Sequence, residues 1–208
     1  MKQGVVIGAY HGNSEALNRL LLSLEASKYP VWIVVSGAGQ APLEFMSNLY
    51  YIATEFDWHV LFNTEDRFEL GAFRKVLDET DLEEFLFLQD TFEIKDIRVL
   101  DLIFKSKSSV ALGPGLFHYA GKWKRSVLEK LEPLPVVHTK KESVHWEHTL
   151  GRRYWIAAEQ TDEGIFCLDP NFHDGNHKGF VEAYGRKNML LENDWYRKLK
   201  ADWGQRPL

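Results

Sequence analysis

The first 90 residues alternate short apolar runs with segments whose apolar residues recur at helical spacing. The apolar runs, residues 4–10, 31–35, 58–62 and 85–89, predict strands buried on both faces of a sheet. The intervening segments, residues 14–28, 42–56 and 70–78, predict helices. Strands that alternate with helices indicate an α/β fold with a mostly parallel sheet and right-handed crossovers.

Beyond residue 90 the pattern is less regular. It predicts a helix over 96–106, a strand over 109–112 and a short strand over 164–168, and it leaves 122–131 open between helix and irregular structure. Thr139 and Glu142 have the spacing of a capping box at the start of a helix that reaches about residue 157. The charged and aromatic tail, residues 188–203, predicts a final helix.

The strand over 85–89 runs directly into Asp90. Open α/β sheets bind ligands at the carboxyl ends of their strands, so Asp90 is a candidate site residue. A carboxylate is costly to bury unless a cation or a hydrogen-bond donor faces it. Asp also caps turns, and the sequence leaves both interpretations of Asp90 open.

Composition narrows the function classes. The formal charge is −5 and the pI about 5.9, which disfavours nonspecific binding to duplex DNA. Cys167 is the only cysteine, so no internal disulfide can form. No run of 18 apolar residues and no signal-peptide pattern is present, so we expect no membrane span and a cytoplasmic location.

Several segments together resemble the GT-A fold of nucleotide-sugar glycosyltransferases, with family 2-like enzymes as the nearest relatives. They are the opening Val-Val-Ile-Gly-Ala-Tyr-His-Gly-Asn, the helix ending Leu-Leu-Ser-Leu-Glu, the strand Val-Trp-Ile-Val-Val-Ser-Gly, residues 63–74, and Phe-Leu-Phe-Leu-Gln-Asp at the place of the family's Asp-x-Asp motif. The resemblance covers roughly residues 4–115. It implies one GT-A-like (Rossmann-like) domain over 1–208: 1–115 would bind the nucleotide sugar, and 116–208 would form the acceptor side and a C-terminal helix.

The motif departs from the family pattern at its second carboxylate. That position is Phe92, and Glu93 is the nearest other acid. Residues 90 and 92 would share a face in a strand, whereas 90 and 93 would not. The resemblance implies Mn²⁺ or Mg²⁺ as cofactor, and a single carboxylate with the donor's phosphates remains one way to hold it.

The resemblance also implies roles for individual residues. Asp90 would contact the metal and the ribose, and His173 would supply a late ligand to the metal or phosphates, unless it belongs to an exposed turn. Arg74 or Lys75 would meet the phosphates, although each also suits a solvated helix face. The remaining donor-binding candidates are Ala9, Tyr10, His11, Asp66 and Glu69.

An inverting transferase needs a carboxylate base near the acceptor hydroxyl. The candidates are Glu142 and Glu147, which are five residues apart, so at most one faces the site. Glu142 has the alternative role of capping-box acid, and Glu147 that of pairing with Arg152 or Arg153. A retaining enzyme would need no such base, and the sequence leaves the two mechanisms open.

The resemblance therefore implies a hexosyl- or pentosyltransferase that uses a UDP- or GDP-linked sugar. The acceptor is open: a saccharide, a protein, a small molecule or a modified nucleic-acid base. The alternative is a noncatalytic GT-A-like binding module that has lost the full metal motif. Nucleotidyl transfer is a weaker third option, because the loop after strand one is short and not basic. The phosphate loop, the G-x-G-x-x-G pattern and the G-x-S-x-G elbow are all missing from the sequence.

Overall fold

The computed structural model describes residues 2–64, 69–112, 120–131, 133–168 and 188–201. The strands are β1 Gln3–Ala9, β2 Val31–Ser36, β3 His59–Asn63, β4 Glu84–Gln89, β5 Phe92–Ile94, β6 Ser109–Ala111, β7 Gly121–Lys124, β8 Ile165–Cys167, β9 Asn188–Glu192 and β10 Tyr196–Ala201. The helices are α1 Ser14–Ser23, α2 Leu43–Glu55, α3 Glu69–Glu79, α4 Arg98–Lys105, α5 Arg125–Leu128 and α6 Lys140–Glu159.

Seven strands form the main sheet in the order β3-β2-β1-β4-β7-β6-β8. Strands β1 to β4 are mutually parallel, and β7 runs antiparallel to both of its neighbours. The chain builds outward from β1 to β2 and β3, then returns to place β4 on the other side of β1. The strand order therefore reverses between β1 and β4, and sheets of this kind bind ligands in the crevice at the carboxyl ends of the strands at such a switch point.

The apolar strands fill a core on both faces of the sheet. In β1, Val5, Ile7 and Ala9 pack with α1, α2 and α4, whereas Val6 packs on the opposite face with α3, α5 and α6. Successive side chains of a strand point to opposite faces, so a continuous apolar run fits a sheet covered by helices on both sides. Gly8 allows close packing, because a Cβ there would lie 2.7 Å from the Phe87 ring.

The α/β architecture and the parallel first half are confirmed, and so is the capping box at the start of α6. The region left open at 122–131 divides into strand β7 and helix α5. None of the helices in the described ranges is both long and apolar enough to cross a membrane.

The predicted C-terminal helix is wrong. Residues 188–201 instead form β9 and β10, which join β5 in a small antiparallel sheet of order β5-β10-β9. Tyr196 and Lys198 are buried, and the intervening Arg197 turns to the other face and binds Glu93. Pairing with β5 therefore decides the conformation of the tail, because tertiary contacts override local propensity.

Candidate nucleotide site

Asp90 links the carboxyl ends of β1 and β4 through hydrogen bonds. It lies in the turn after β4 and is only 5% exposed. Its carboxylate accepts hydrogen bonds from the Tyr10 backbone N–H at 2.8 Å and from Asn13 Nδ2 at 3.1 and 3.2 Å. Its own N–H donates to the Gly8 carbonyl at 3.1 Å. These donors stabilise the buried charge, and the carboxylate in turn fixes the loop between β1 and α1.

The loop that Asp90 holds presents an aromatic surface at the mouth of the crevice. The Tyr10 ring is 37% exposed and lies 4.4 Å from the His11 ring, centroid to centroid. His11 also meets the edge of Phe45. Burial lowers the pKa of His11, which favours the neutral imidazole at pH 7. Ala9, the last residue of β1, is buried in the core.

Asn13 contacts Asp90 and is missing from the site candidates that the sequence analysis named. Its side chain makes no cap hydrogen bond to α1 and reaches across to Asp90 instead. The signal available in the sequence was its place directly after β1, at the same edge of the sheet as Asp90. Gly12 beside it packs against the Tyr10 ring, which a Cβ would approach to 2.5 Å.

Glu69 ties three elements together beside the crevice. It is the first residue of α3, and its carboxylate accepts from Gln89 Nε2 at 3.1 Å and from Ser143 Oγ at 3.5 Å. Gln89 ends β4 and directly precedes Asp90, while Ser143 lies in the first turn of α6. The structure therefore brings Glu69 close to the strand end that carries Asp90, and it places the start of α6 there too.

Arg74 lies along α3, beside the edge strand β3. It lines a polar cavity of about 220 Å³ together with Asn63, Thr64, Gly71, Lys75 and Asp78. Lys75 is bound to Glu79 one helical turn on. The contact of Arg74 with a phosphate of the donor stays a prediction.

The predicted base Glu142 is engaged at the start of α6. Its Oε2 accepts from the backbone N–H groups of His138 at 2.9 Å and Thr139 at 3.1 Å. These backbone hydrogen bonds lower the pKa of Glu142, so its carboxylate is a weaker base than an unperturbed one. Glu147 lies within α6, but its side chain falls outside the described residues, as do Asp66 and His173.

The described residues do not fit a two-carboxylate metal site. Phe92 is 1% exposed and belongs to the core. Glu93 is held by Arg197 through bonds of 2.6 and 2.8 Å. Both Asp90 oxygens accept from N–H donors, and within the described ranges no three His, Cys, Asp or Glu side chains form a metal-binding group.

Comparison with solved structures identifies proteins that share this fold. No protein-family model and no curated protein matches this chain. Among solved structures, a mannosyltransferase from Pyrobaculum calidifontis, in complex with GDP-Man and Mn²⁺, aligns with TM-score 0.61 and 13% identity over 84% of this chain and 58% of that one. S. aureus TarS 1–349 in complex with UDP-GlcNAc aligns with TM-score 0.55 and 12% identity over 94% of this chain and 58% of that one.

A third neighbour is covered by this chain over most of its length. Glucosyl-3-phosphoglycerate synthase from Mycobacterium tuberculosis, in complex with Mn²⁺, UDP and glucosyl-3-phosphoglycerate, aligns with TM-score 0.55 and 9% identity over 96% of this chain and 87% of that one. Against the TarS structures and the mannosyltransferase, the chain spans only 35 to 60% of the neighbour's length. Identities this low establish the fold alone. The resemblance drawn from the sequence is confirmed at that level: the protein has a GT-A-like fold of the kind found in nucleotide-sugar glycosyltransferases.

Proposed function

We propose that this protein is a glycosyltransferase that binds a nucleoside-diphosphate sugar, UDP- or GDP-linked, at the crevice between β1 and β4. The observation that carries the proposal is the Asp90 carboxylate, buried at the switch point of a GT-A-like sheet and bound to the β1–α1 loop. Two structural neighbours are complexes with GDP-Man and with UDP-GlcNAc, which supports the choice of ligand.

The proposed donor site assigns separate tasks to the loop and to Asp90. The exposed Tyr10 ring and the neutral His11 imidazole provide a stacking surface for the nucleoside. Asp90 fixes the backbone of that loop before the nucleotide arrives, which reduces the ordering cost of binding. Ala9 and Glu69 complete the floor and one wall, with Asp66 and Arg74 proposed further along the donor.

In the transfer itself, the acceptor hydroxyl oxygen bonds to the anomeric carbon of the sugar as the bond from that carbon to the diphosphate oxygen breaks. The diphosphate leaves with the electron pair, and the hydroxyl proton passes to a base or to solvent. Glu147 is the better candidate for the base, because backbone donors already engage Glu142. A hexosyl or pentosyl group fits this scheme equally, with a saccharide, protein, small molecule or modified nucleic-acid base as acceptor.

A divalent metal, Mn²⁺ or Mg²⁺, enters the proposal as a prediction only. Two of the neighbours contain Mn²⁺. In this chain the proposed ligands of the ion are Asp90 and His173, and the transfer step as proposed does not depend on the ion. A cytoplasmic location is likewise a prediction that rests on the sequence.

The second candidate is a noncatalytic module that binds nucleotides or another ligand on the same fold. The core position of Phe92 and the pairing of Glu93 with Arg197 favour it, because neither residue is available as a second metal ligand. A module that binds nucleotides would bind a nucleoside diphosphate but release none from a nucleotide sugar, and a module for another ligand would bind neither.

Thermal unfolding with a panel of nucleoside diphosphates, with Mn²⁺ or with EDTA, tests the proposal. Ligands that bind the native state raise the melting temperature by mass action. We expect a rise with UDP or GDP in the wild type and a much smaller one in Asp90→Ala, with the exposed Asp162→Asn as control. The proposal fails if no nucleotide raises the melting temperature. Release of UDP or GDP from matching nucleotide sugars then separates the enzyme from the module.

A further inference from the structure

The two ring nitrogens of His11 have different surroundings. His11 follows Tyr10 in the loop between β1 and α1, which Asp90 holds through the Tyr10 N–H at 2.8 Å and Asn13 Nδ2 at 3.1 Å. Nδ1 of His11 is buried and has no hydrogen-bond partner among the described residues. Nε2 makes no hydrogen bond to those residues either, but it is accessible to solvent. One polar atom of the ring is therefore closed off, and the other is open on the loop that Asp90 holds.

Two aromatic neighbours restrict the orientation of the His11 imidazole. The Tyr10 ring lies 4.4 Å away, centroid to centroid, at an interplanar angle of 46°. The Phe45 ring, which belongs to α2, meets it edge-on at 6.4 Å and 69°. The imidazole is thus held between its own loop and a helix, and these contacts keep the same edge of the ring toward solvent.

The burial of Nδ1 selects one tautomer of His11. A neutral imidazole carries one proton, so one ring nitrogen donates a hydrogen bond and the other accepts one. Because buried N–H groups without an acceptor are rare in folded proteins, we expect the proton on Nε2 and the lone pair on Nδ1. A second proton would place an N–H on the buried Nδ1, and burial accordingly lowers the pKa of His11. His11 therefore presents a single, outward-facing N–H.

We infer that His11 is a specificity residue of the donor site and donates a hydrogen bond from Nε2 to an oxygen of the nucleoside. This inference rests on the proposed function and adds a directional contact to the stacking surface. A base stacked on the exposed Tyr10 ring would lie beside His11, whose ring centroid is 4.4 Å from that of Tyr10. Carbonyl and hydroxyl oxygens of the nucleoside accept such a bond. A restrained donor also disfavours ligands that place no acceptor there, because its N–H would stay unpaired.

The tautomer of His11 can be measured without any nucleotide. Long-range proton–nitrogen correlation spectra of protein with ¹⁵N-labelled histidine distinguish the two neutral tautomers, and the signals that vanish in His11→Phe belong to His11. Near neutral pH we expect a protonated Nε2 and a bare Nδ1. Phenylalanine keeps the ring and removes an unpaired buried nitrogen, so the melting temperature of His11→Phe should equal or exceed that of the wild type.

Titration with the diphosphate that the thermal panel selects, and with its nucleoside, tests the contact itself. We expect His11→Phe to weaken the Kd for both ligands by about 5- to 50-fold, because a hydrogen bond is lost and its acceptor is left unpaired. His11→Gln, whose amide nitrogen lies as many bonds from Cγ as the imidazole Nε2, should recover much of this loss, whereas His11→Asn should not. The matched control is His59→Phe: His59 is exposed, stacks on Trp32 at 4.0 Å and begins β3 at the amino end of the parallel strands, so this variant should match the wild type.

Three results would overturn the inference while leaving the proposed function standing. The first is a proton on Nδ1 of His11 in the free protein. The second is an unchanged Kd for both ligands in His11→Phe, which leaves His11 a stacking residue only, and the third is a loss for the diphosphate alone, which moves the contact to phosphate. Should His11→Phe fail to fold by circular dichroism, the comparison of His11→Gln with His11→Asn decides, and His11→Gln assigns the histidine signals. Failure of the wild type to bind any nucleoside diphosphate, with or without metal, overturns the proposed function and this contact together, whichever tautomer is found.

Discussion

Replacing Asp90 by Asn should loosen the β1–α1 loop without removing side-chain volume. The carboxylate accepts from two N–H donors, the Tyr10 backbone and the Asn13 amide, at 2.8 to 3.2 Å. Hydrogen bonds to charged groups contribute about 1.5–3 kcal/mol each and neutral ones about 0.5–1.5 kcal/mol. The substitution also turns an NH₂ group toward one of the donors. We therefore expect Asp90→Asn to lower the free energy of unfolding by about 2–3 kcal/mol.

Urea denaturation measures this change, with Asp162→Asn as the surface control. A double-mutant cycle with Asn13→Ala isolates the contact between the two side chains. If the amide donates to the carboxylate as described, the coupling energy should be about 1 kcal/mol, above the 0.3–0.5 kcal/mol scatter of independent sites. Strict additivity, or an Asp90→Asn protein as stable as the wild type, would refute the claim that Asp90 organises this loop.

Three further predictions concern the rest of the molecule. Glu84 is buried with Lys122, so Glu84→Leu should destabilise the protein by about 3–5 kcal/mol, and adding Lys122→Met should restore much of the loss in urea denaturation. Burial, with a smaller effect of Asp101, raises the pKa of Tyr29 to about 12, so the folded state keeps the phenol proton to a higher pH than the unfolded chain does. The free energy of unfolding should therefore decline as pH rises from about 10 to 12. The Tyr29→Phe variant should show a flatter decline over the same pH range. Glu142→Gln preserves the capping box, so the melting temperature should stay unchanged. Loss of transfer activity in that variant would identify Glu142 as the catalytic base, whereas full activity would leave Glu147 as the candidate base.

The first half of the fold was predictable because its signals are local. Short apolar runs such as those of β1 and β4 are typical of buried strands, and the leucines of α1 recur at one face of a helix. The tail was not predictable in the same way. Its strands exist because β10 pairs with β5, about a hundred residues earlier in the chain, and local propensity carries no information about that partner.

The site was predictable only in part for a similar reason. Asp90 could be singled out from the sequence, because it follows a buried strand and a buried carboxylate needs a cation or a hydrogen-bond donor. The sequence did not show which of the two faces Asp90, because the donating side chain, Asn13, is 77 residues away. Phe92 was visible as a departure from the motif, but its burial against β10 and the proximity of Lys198 depend on the same unpredicted strand pair.

Backbone-amide NMR titration with the nucleoside diphosphate selected by thermal unfolding tests the location of the proposed site most directly. The largest shift changes should fall on Tyr10 to Asn13 and on Gln89 to Thr91, where the loop and the β4 turn meet. Saturable changes confined to another surface, or none at all, would contradict a nucleotide-sugar site between β1 and β4.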